Sequence, residues 1–129
     1  MGNLETVLEF IKAMEANEKA GILAFFDNES VFNNVPMGVV TGPEGVWSVL
    51  GPLHEIVISV EYVVHQIAES GEGVVLTERN DRYQMEDRLV DFPVMGSFRV
   101  EGKIIRQWTD YFDLNQCLGQ MPKGTELPV

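Results

Sequence analysis

The sequence predicts an α+β fold, a strongly curved antiparallel or mixed sheet wrapped around N-terminal helices to leave a cone-shaped body with a deep apolar pocket. Three observations carry this expectation. The first part of the chain holds three segments with apolar residues at helical spacing. After "GPLHE" come four runs rich in β-branched and aromatic residues, "IVISVEYVVHQIAE", "GVVLTERNDRYQM", "VDFPVMGSFRV" and "KIIRQWTDYFDL". The separators "SGEG", "EDRL" and "EG" are short enough to join neighbouring antiparallel strands. At 129 residues the chain can bury one core but not two, so residues 1–129 are expected to form one domain, with 115–129 as a C-terminal tail.

Each element has its own signal. Asn3 is expected to cap a helix whose apolar side holds Leu4, Val7, Leu8, Ile11 and Met14. Asn17 is expected to cap a second, shorter helix with Ile22, Leu23, Phe25 and Phe26, broken by "DNES", so that the two form a hairpin. "VFNNVPMGVV" reads as a short strand entering a turn at "TGPEG", because two Asn and a Pro argue against a central strand. Pro43 suits the first turn of a third helix containing Val46, Trp47, Val49 and Leu50. The tail "NQCLGQMPKGTELPV" has little periodicity and is expected to lie along the surface or over the pocket mouth.

Composition narrows the function. The chain is 45% hydrophobic and 22% charged, an ordinary globular balance. Its formal net charge of −11 repels phosphate backbones and anionic headgroups, so neither nucleic acid nor membrane is an expected partner. No stretch approaches the roughly 20 apolar residues that span a bilayer, and "MGNLETVLEF" has no signal-type core, which points to the cytoplasm. Cys117 is the single cysteine and reads as a structural thiol. His54 and His65 lack metal-ligand spacing, so no metal and no Ser-His-Asp triad is expected.

The chemistry-bearing stretches are "LTERNDRY" and "QWTDYFDL". Side chains two apart on a strand share a face, so Arg79, Asp81 and Tyr83 lie together, as do Asp110, Phe112 and Leu114. If Asp110 faces an apolar pocket it needs a cationic partner, and Arg79 is the candidate. From spacing alone the alternative stands that Arg79, Asp81 and Asp110 form a surface ion-pair patch.

"TERND", "VFNNVP", "PVMG" before a Phe, and "WTDYFDL" resemble, in order and separation, the limonene-1,2-epoxide hydrolase family within the cone-shaped α+β superfamily that includes ketosteroid isomerase and nuclear transport factor 2-like proteins. The resemblance runs from the first helix to about Leu114. It implies Asp110 as the base that activates water, Asp81 as the acid that protonates the epoxide oxygen, Arg79 between them, and Asn34 as a holder of the water. It also implies a pocket lined by Phe32, Met37, Leu53, Tyr83, Phe92, Val94 and Phe112, although each apolar one reads equally as plain core. The expected activity is cofactor-independent addition of water to a small apolar epoxide, in a homodimer. The same carboxylates could instead serve an isomerase or cyclase, or the cone could be a hydrophobic-ligand binding module.

Two departures from the family pattern stand out. Phe32 occupies a position where relatives have a tyrosine that holds the water, and the hydroxyl of Tyr83 is a candidate replacement. The loop in "FRVEGKIIRQW" falls about one residue early, which predicts a bulge or register shift before Asp110.

Overall fold

A computed structural model describes residues 2–124; positions 125–129 of the expected tail lie outside the described residues. In chain order the elements are α1 (Asn3–Ala16), α2 (Lys19–Leu23), β1 (Val31–Asn34), β2 (Gly38–Thr41), α3 (Gly42–His54), β3 (Ser59–Glu69), β4 (Val74–Gln84), β5 (Leu89–Glu101), β6 (Ile104–Tyr111) and α4 (Leu114–Leu118). The six strands form one curved, unclosed sheet in the order β2-β1-β6-β5-β4-β3. β3 to β6 are the antiparallel meander the four runs predict, and β1 joins parallel to β6. The sheet is therefore mixed, and the N-terminal helices pack on its concave side.

"VFNNVPMGVV" is two strands rather than one. Asn34 accepts from Met37 N–H at 2.7 Å, and Gly38 takes a φ of 118°, so the chain reverses around Pro36 and pairs β2 with β1. The Pro and Asn residues that argue against one central strand are the means of the reversal.

Both asparagine caps are corrected. Gly2, not Asn3, precedes α1, and Asn3 instead donates to the Gly73 carbonyl in the β3–β4 turn at 3.1 Å. Asn17 does not start α2. It ends α1 in the left-handed region (φ 55°), its N–H meeting the carbonyls of Ala13 and Met14, while Glu18 precedes α2. Asparagine serves either end of a helix, and here its side chain has a partner on α3 that only the C-terminal position can reach.

The helices bury part of what their spacing predicts: on α1, Val7, Ile11 and Met14 are buried, Leu4 and Leu8 only partly, and Thr6 and Phe10 join the buried side. α1 presents Val7, Phe10, Ile11 and Met14 to the core, and Phe10 meets Phe25, Phe26, Phe98 and Trp108 edge-on. Trp108 is fully buried, stacked on Phe32 at 4.0 Å between ring centres and on Phe98 at 5.6 Å. This aromatic column anchors α1 to β1, β5 and β6 at once.

The predicted irregularity before Asp110 is present. Arg99 pairs with Gln107 but Val100 pairs with Ile105, leaving Arg106 as an extra residue in β6. The buried face accordingly runs Ile105, Trp108, Asp110 rather than by strict twos. Arg106 turns outward to Asp27 and to Glu101, 2.9 Å away, which pins the bulge. Without that extra residue Asp110 and Ile105 would lie on opposite faces.

Candidate active site

β4 alternates without interruption, so Val75, Thr77, Arg79, Asp81 and Tyr83 all point inward. Two strands away, the bulge of β6 aims Trp108 and Asp110 to the same side. β1 lies parallel to β6 with Asn34 opposite Asp110, and β5 places Gly96 opposite Asp110 and Thr77. These four strands meet in a cavity of about 60 Å³, roofed by α3 and by the chain around α4.

The centre of the site is one guanidinium between two carboxylates. Arg79 Nε donates to Asp81 Oδ1 at 2.7 Å, and Nη2 reaches Asp81 Oδ2 at 3.2 Å and Asp110 Oδ2 at 2.7 Å. Nη1 donates to Thr77 Oγ1 at 2.9 Å, whose hydroxyl is passed on to the Gly96 carbonyl at 3.3 Å. The guanidinium also lies against the rings of Tyr62 and Phe98, at 4.9 and 6.0 Å. Arg79 is 0% exposed, Asp81 3% and Asp110 5%, which removes the surface ion-pair alternative.

Burial sets the protonation states. Desolvation lifts Asp81 from its ordinary 3.8 to about 6, overriding the pull of Arg79. Burial works against the charge of Arg79 as well, but Asp110 and then Asp81 outweigh it and hold the guanidinium charged. Asp110 takes a second donor on its other oxygen, the indole N–H of Trp108 at 2.8 Å. Two carboxyl groups with one cation between them thus have different surroundings, as acid and base chemistry at one centre requires.

Most of the expected residues meet here. Phe32, Asn34, Met37, Leu53, Asp81, Tyr83, Phe92, Asp110 and Phe112 line the cavity, and Arg79 sits beneath it. Val94 does not line it: it is buried on the same face of β5, opposite Arg79, and packs in the core. Asn34 donates to Met37 Sδ at 3.1 Å, and its Oδ1 has no protein partner among the described residues. The tail contributes too, since Asp113 caps α4 through Gln116 N–H at 3.0 Å and the following chain brings Cys117 and Met121 to the cavity. Burial raises the Cys117 thiol to about 11, so it is an inert wall.

Tyr83, the candidate for the hydroxyl absent at Phe32, lines the same cavity as Phe32 and Asp110. Asp110, Asp81 and Tyr83 face Gly96, Phe92 and Val90 of β5, so Tyr83 lies on the Asp81 side, six residues along β5 from the Asp110 row. Its hydroxyl pairs with that of Tyr62 at 3.1 Å, in a buried couple that burial holds protonated. Two phenols share one hydrogen bond, so one O–H of the couple remains to donate.

Other functional residues were hidden in the sequence. Thr77 and Trp108 each stand two positions from a named carboxylate or arginine, so the strand alternation already contained them. Gly96 is an isolated glycine in a strand, a known mark of close approach. A Cβ there would collide with Asp110 Oδ1 and stand 2.5 Å from Arg79 Nη1, so the ion pair crosses β5 only because this residue is glycine. Tyr62 had no signal, because its place depends on the pairing of β3 with β4.

Comparisons with known proteins point to one family. Residues 1–123 match the limonene-1,2-epoxide hydrolase catalytic domain as a family. The chain is 29% identical over 115 residues, 89% of its length and 76% of the relative's, to the epoxide hydrolase EphG of Mycobacterium tuberculosis (strain ATCC 25618 / H37Rv). It superimposes on the solved structure of an LEH-like epoxide hydrolase from M. tuberculosis with a TM-score of 0.77 at 27% identity, covering 92% of this chain and 87% of that one. A SnoaL-like polyketide cyclase from Shewanella denitrificans shares the fold alone, with a TM-score of 0.74 at 15% identity and coverage of 92% and 95%. With the match spanning the helices, the sheet and both carboxylate strands, the chain belongs to the limonene-1,2-epoxide hydrolase family and is, at the level of that family, an epoxide hydrolase.

Proposed function

We propose that the protein adds water to an apolar epoxide in one step, without a cofactor, to give a vicinal diol. The observation that carries this reading is the buried bridge of Arg79 between Asp81 and Asp110 at the edge of an apolar cavity. Opening an epoxide requires a nucleophile at carbon and a proton at the departing oxygen. Asp110 takes a proton from a water held also by the Oδ1 of Asn34, and the water oxygen bonds to an epoxide carbon. As the ring C–O bond breaks, Asp81 gives its proton to the oxygen. Asp110 is then protonated and Asp81 ionised, and transfer of one proton between them, across or around Arg79, restores the site. Charge balances at every stage, so proton transfers alone suffice.

The cavity admits few waters as it stands. A substrate of terpene size therefore displaces the flexible side chains of Met37 and Met121, which adapt at low cost.

Phe32, stacked on Trp108, supports a second reading, because water has fewer holders than a tyrosine there would give. In that reading a substrate hydroxyl takes the place of water and the product is rearranged or cyclised. A screen of cyclic and linear apolar epoxides separates the two by product. A diol supports hydrolysis, whereas a product isomeric with its substrate supports the cyclase or isomerase.

The homodimer expected from the resemblance is supported by the convex face. Met95 and Tyr111 are neighbours across β5 and β6, 52% and 56% exposed, in an apolar patch suited to a second copy. Light scattering at micromolar concentration tests it, and a monomer mass contradicts it.

A further inference from the structure

One buried group lining the cavity is used by none of the steps above. His54 closes α3 at 4% exposure and lines the same cavity as Asp81 and Tyr83. Its protonation pattern follows from its neighbour. Asn17 donates through Nδ2 to the His54 carbonyl at 3.0 Å, which orients the amide so that Oδ1 faces His54 Nδ1 at 2.8 Å. Oδ1 can only accept, so Nδ1 carries the ring proton and Nε2 is a bare lone pair. Asn17 is itself fixed by its left-handed position at the end of α1 and by its bond to the His54 carbonyl, so the imidazole cannot swing to exchange its nitrogens without breaking the Nδ1–Oδ1 bond.

His54 Nε2 is also, among the described residues, the one buried side-chain nitrogen or oxygen without a hydrogen-bond partner. Buried polar atoms are almost always paired, and an orphan in an otherwise satisfied interior marks a place for a ligand atom. The nearby phenols do not fill it. The Tyr83 ring stands edge-on to the imidazole at 5.9 Å, while its hydroxyl is engaged with Tyr62. Burial pushes the imidazole pKa down to about 4, so at neutral pH the ring is an uncharged acceptor. The group it lacks is a donor.

We infer that His54 Nε2 is a specificity-determining acceptor for a hydroxyl group on the substrate, so that the preferred substrate is an apolar epoxide carrying a hydroxyl remote from the ring to be opened. A hydroxyl is the matching group because it donates to Nε2 and can accept the O–H that the Tyr62–Tyr83 couple has to spare. The strand register fixes the direction. The hydroxyl end lies on the Tyr83 side of Asp81, away from Asp110, leaving the epoxide between the two carboxylates. A hydroxyl-free ligand would leave the lone pair unpaired in a now anhydrous cavity, and sites built this way discriminate against ligands lacking the polar group.

The inference rests on the hydrolase reading for the position of the epoxide but not for the binding of the hydroxyl, and two measurements keep them apart. The first compares α-terpineol with p-menth-1-ene, which lack an epoxide and differ by one hydroxyl, by following the nitrogen NMR signal of His54 Nε2 in the native chain. α-Terpineol is expected to bind more tightly by about tenfold and to move the Nε2 signal in the hydrogen-bonded direction, whereas p-menth-1-ene leaves it in place. The second compares kcat/KM for the 1,2-epoxides of the same two molecules, in the native chain and in His54→Phe. The native preference for the hydroxylated epoxide is expected to fall towards one in the variant, a ratio that a general loss of folded protein does not alter. A shifted Nε2 signal with no epoxide turnover supports the inference and refutes the hydrolase reading. Equal turnover of both epoxides by the native chain, a preference that survives His54→Phe, or an Nε2 signal unmoved by α-terpineol overturns the inference and leaves the hydrolase reading standing.

Discussion

Two arginines three residues apart on β4 each sit between two carboxylates, yet they belong to different chemistry. Arg82 faces outward, 36% exposed at its side chain, and bonds its direct cross-strand neighbours Glu61 at 3.0 Å and Asp91 at 2.6 Å. Arg79 faces inward, holds Asp81 on its own strand, and reaches across Gly96 to Asp110 two strands away. Water screens the outer triad, so its ion pairs contribute little. The inner triad is buried, and desolvation lifts Asp81 to about 6. Each triad is one arginine with two carboxylates; the face of the strand decides whether they are buried together or solvated.

Breaking the inner triad should have the largest effect. Arg79→Met leaves two buried carboxylates without a cation, and we expect turnover at background together with a loss of about 3–5 kcal/mol in urea unfolding. Asp110→Asn keeps the shape but removes the proposed base and one of the two carboxylates that balance Arg79, so turnover should fall by about 10²–10⁴-fold, with a stability loss smaller than that of Arg79→Met because Asp81 still pairs with the guanidinium. Gly96→Ala forces a Cβ into the ion pair from the inner face of β5. It should cost about 1–3 kcal/mol and lower kcat more than it raises KM.

A smaller effect is expected from pH. If Asp81 is the acid, as proposed, it works only while protonated, so kcat/KM should fall about tenfold per unit once the pH passes about 6. The fold should follow, because the native state holds this proton above the ordinary 3.8. Its stabilising share is complete at low pH and is lost as pH rises through about 6, read as a falling melting temperature. The smallest effect belongs to the outer triad, where Arg82→Ala should change stability by under about 1 kcal/mol and leave kcat/KM as it was.

The inner face of β4 was legible because its alternation is unbroken over "TERNDRY", and the helix-then-meander order gave the α+β class. Asp110 was harder. Its facing depends on the extra residue at Arg106, which the early loop in "FRVEGKIIRQW" foretold without locating. What could not be read was the lateral register between strands, since nothing local to β1, β3 or β5 states that Asn34 meets Asp110, that Tyr62 meets Asp81, or that Gly96 lies beneath the bridge. The same gap covers Tyr83, which shares a face with Arg79 and whose hydroxyl meets that of Tyr62 on β3. The asparagines misled for a chemical reason: Asn3 and Asn17 suit several backbone positions, and their choice was settled by Gly73 and His54, distant in sequence.

The central claim is that water, activated by Asp110, attacks the epoxide directly, with no carboxylate of the triad becoming bonded to it. A single turnover in heavy-oxygen water, with enzyme in excess over epoxide, tests this most directly. The account predicts one solvent oxygen in every diol formed in that first turnover and none in the protein. A first-turnover diol carrying oxygen from the protein, with heavy oxygen left in Asp81 or Asp110, would contradict it.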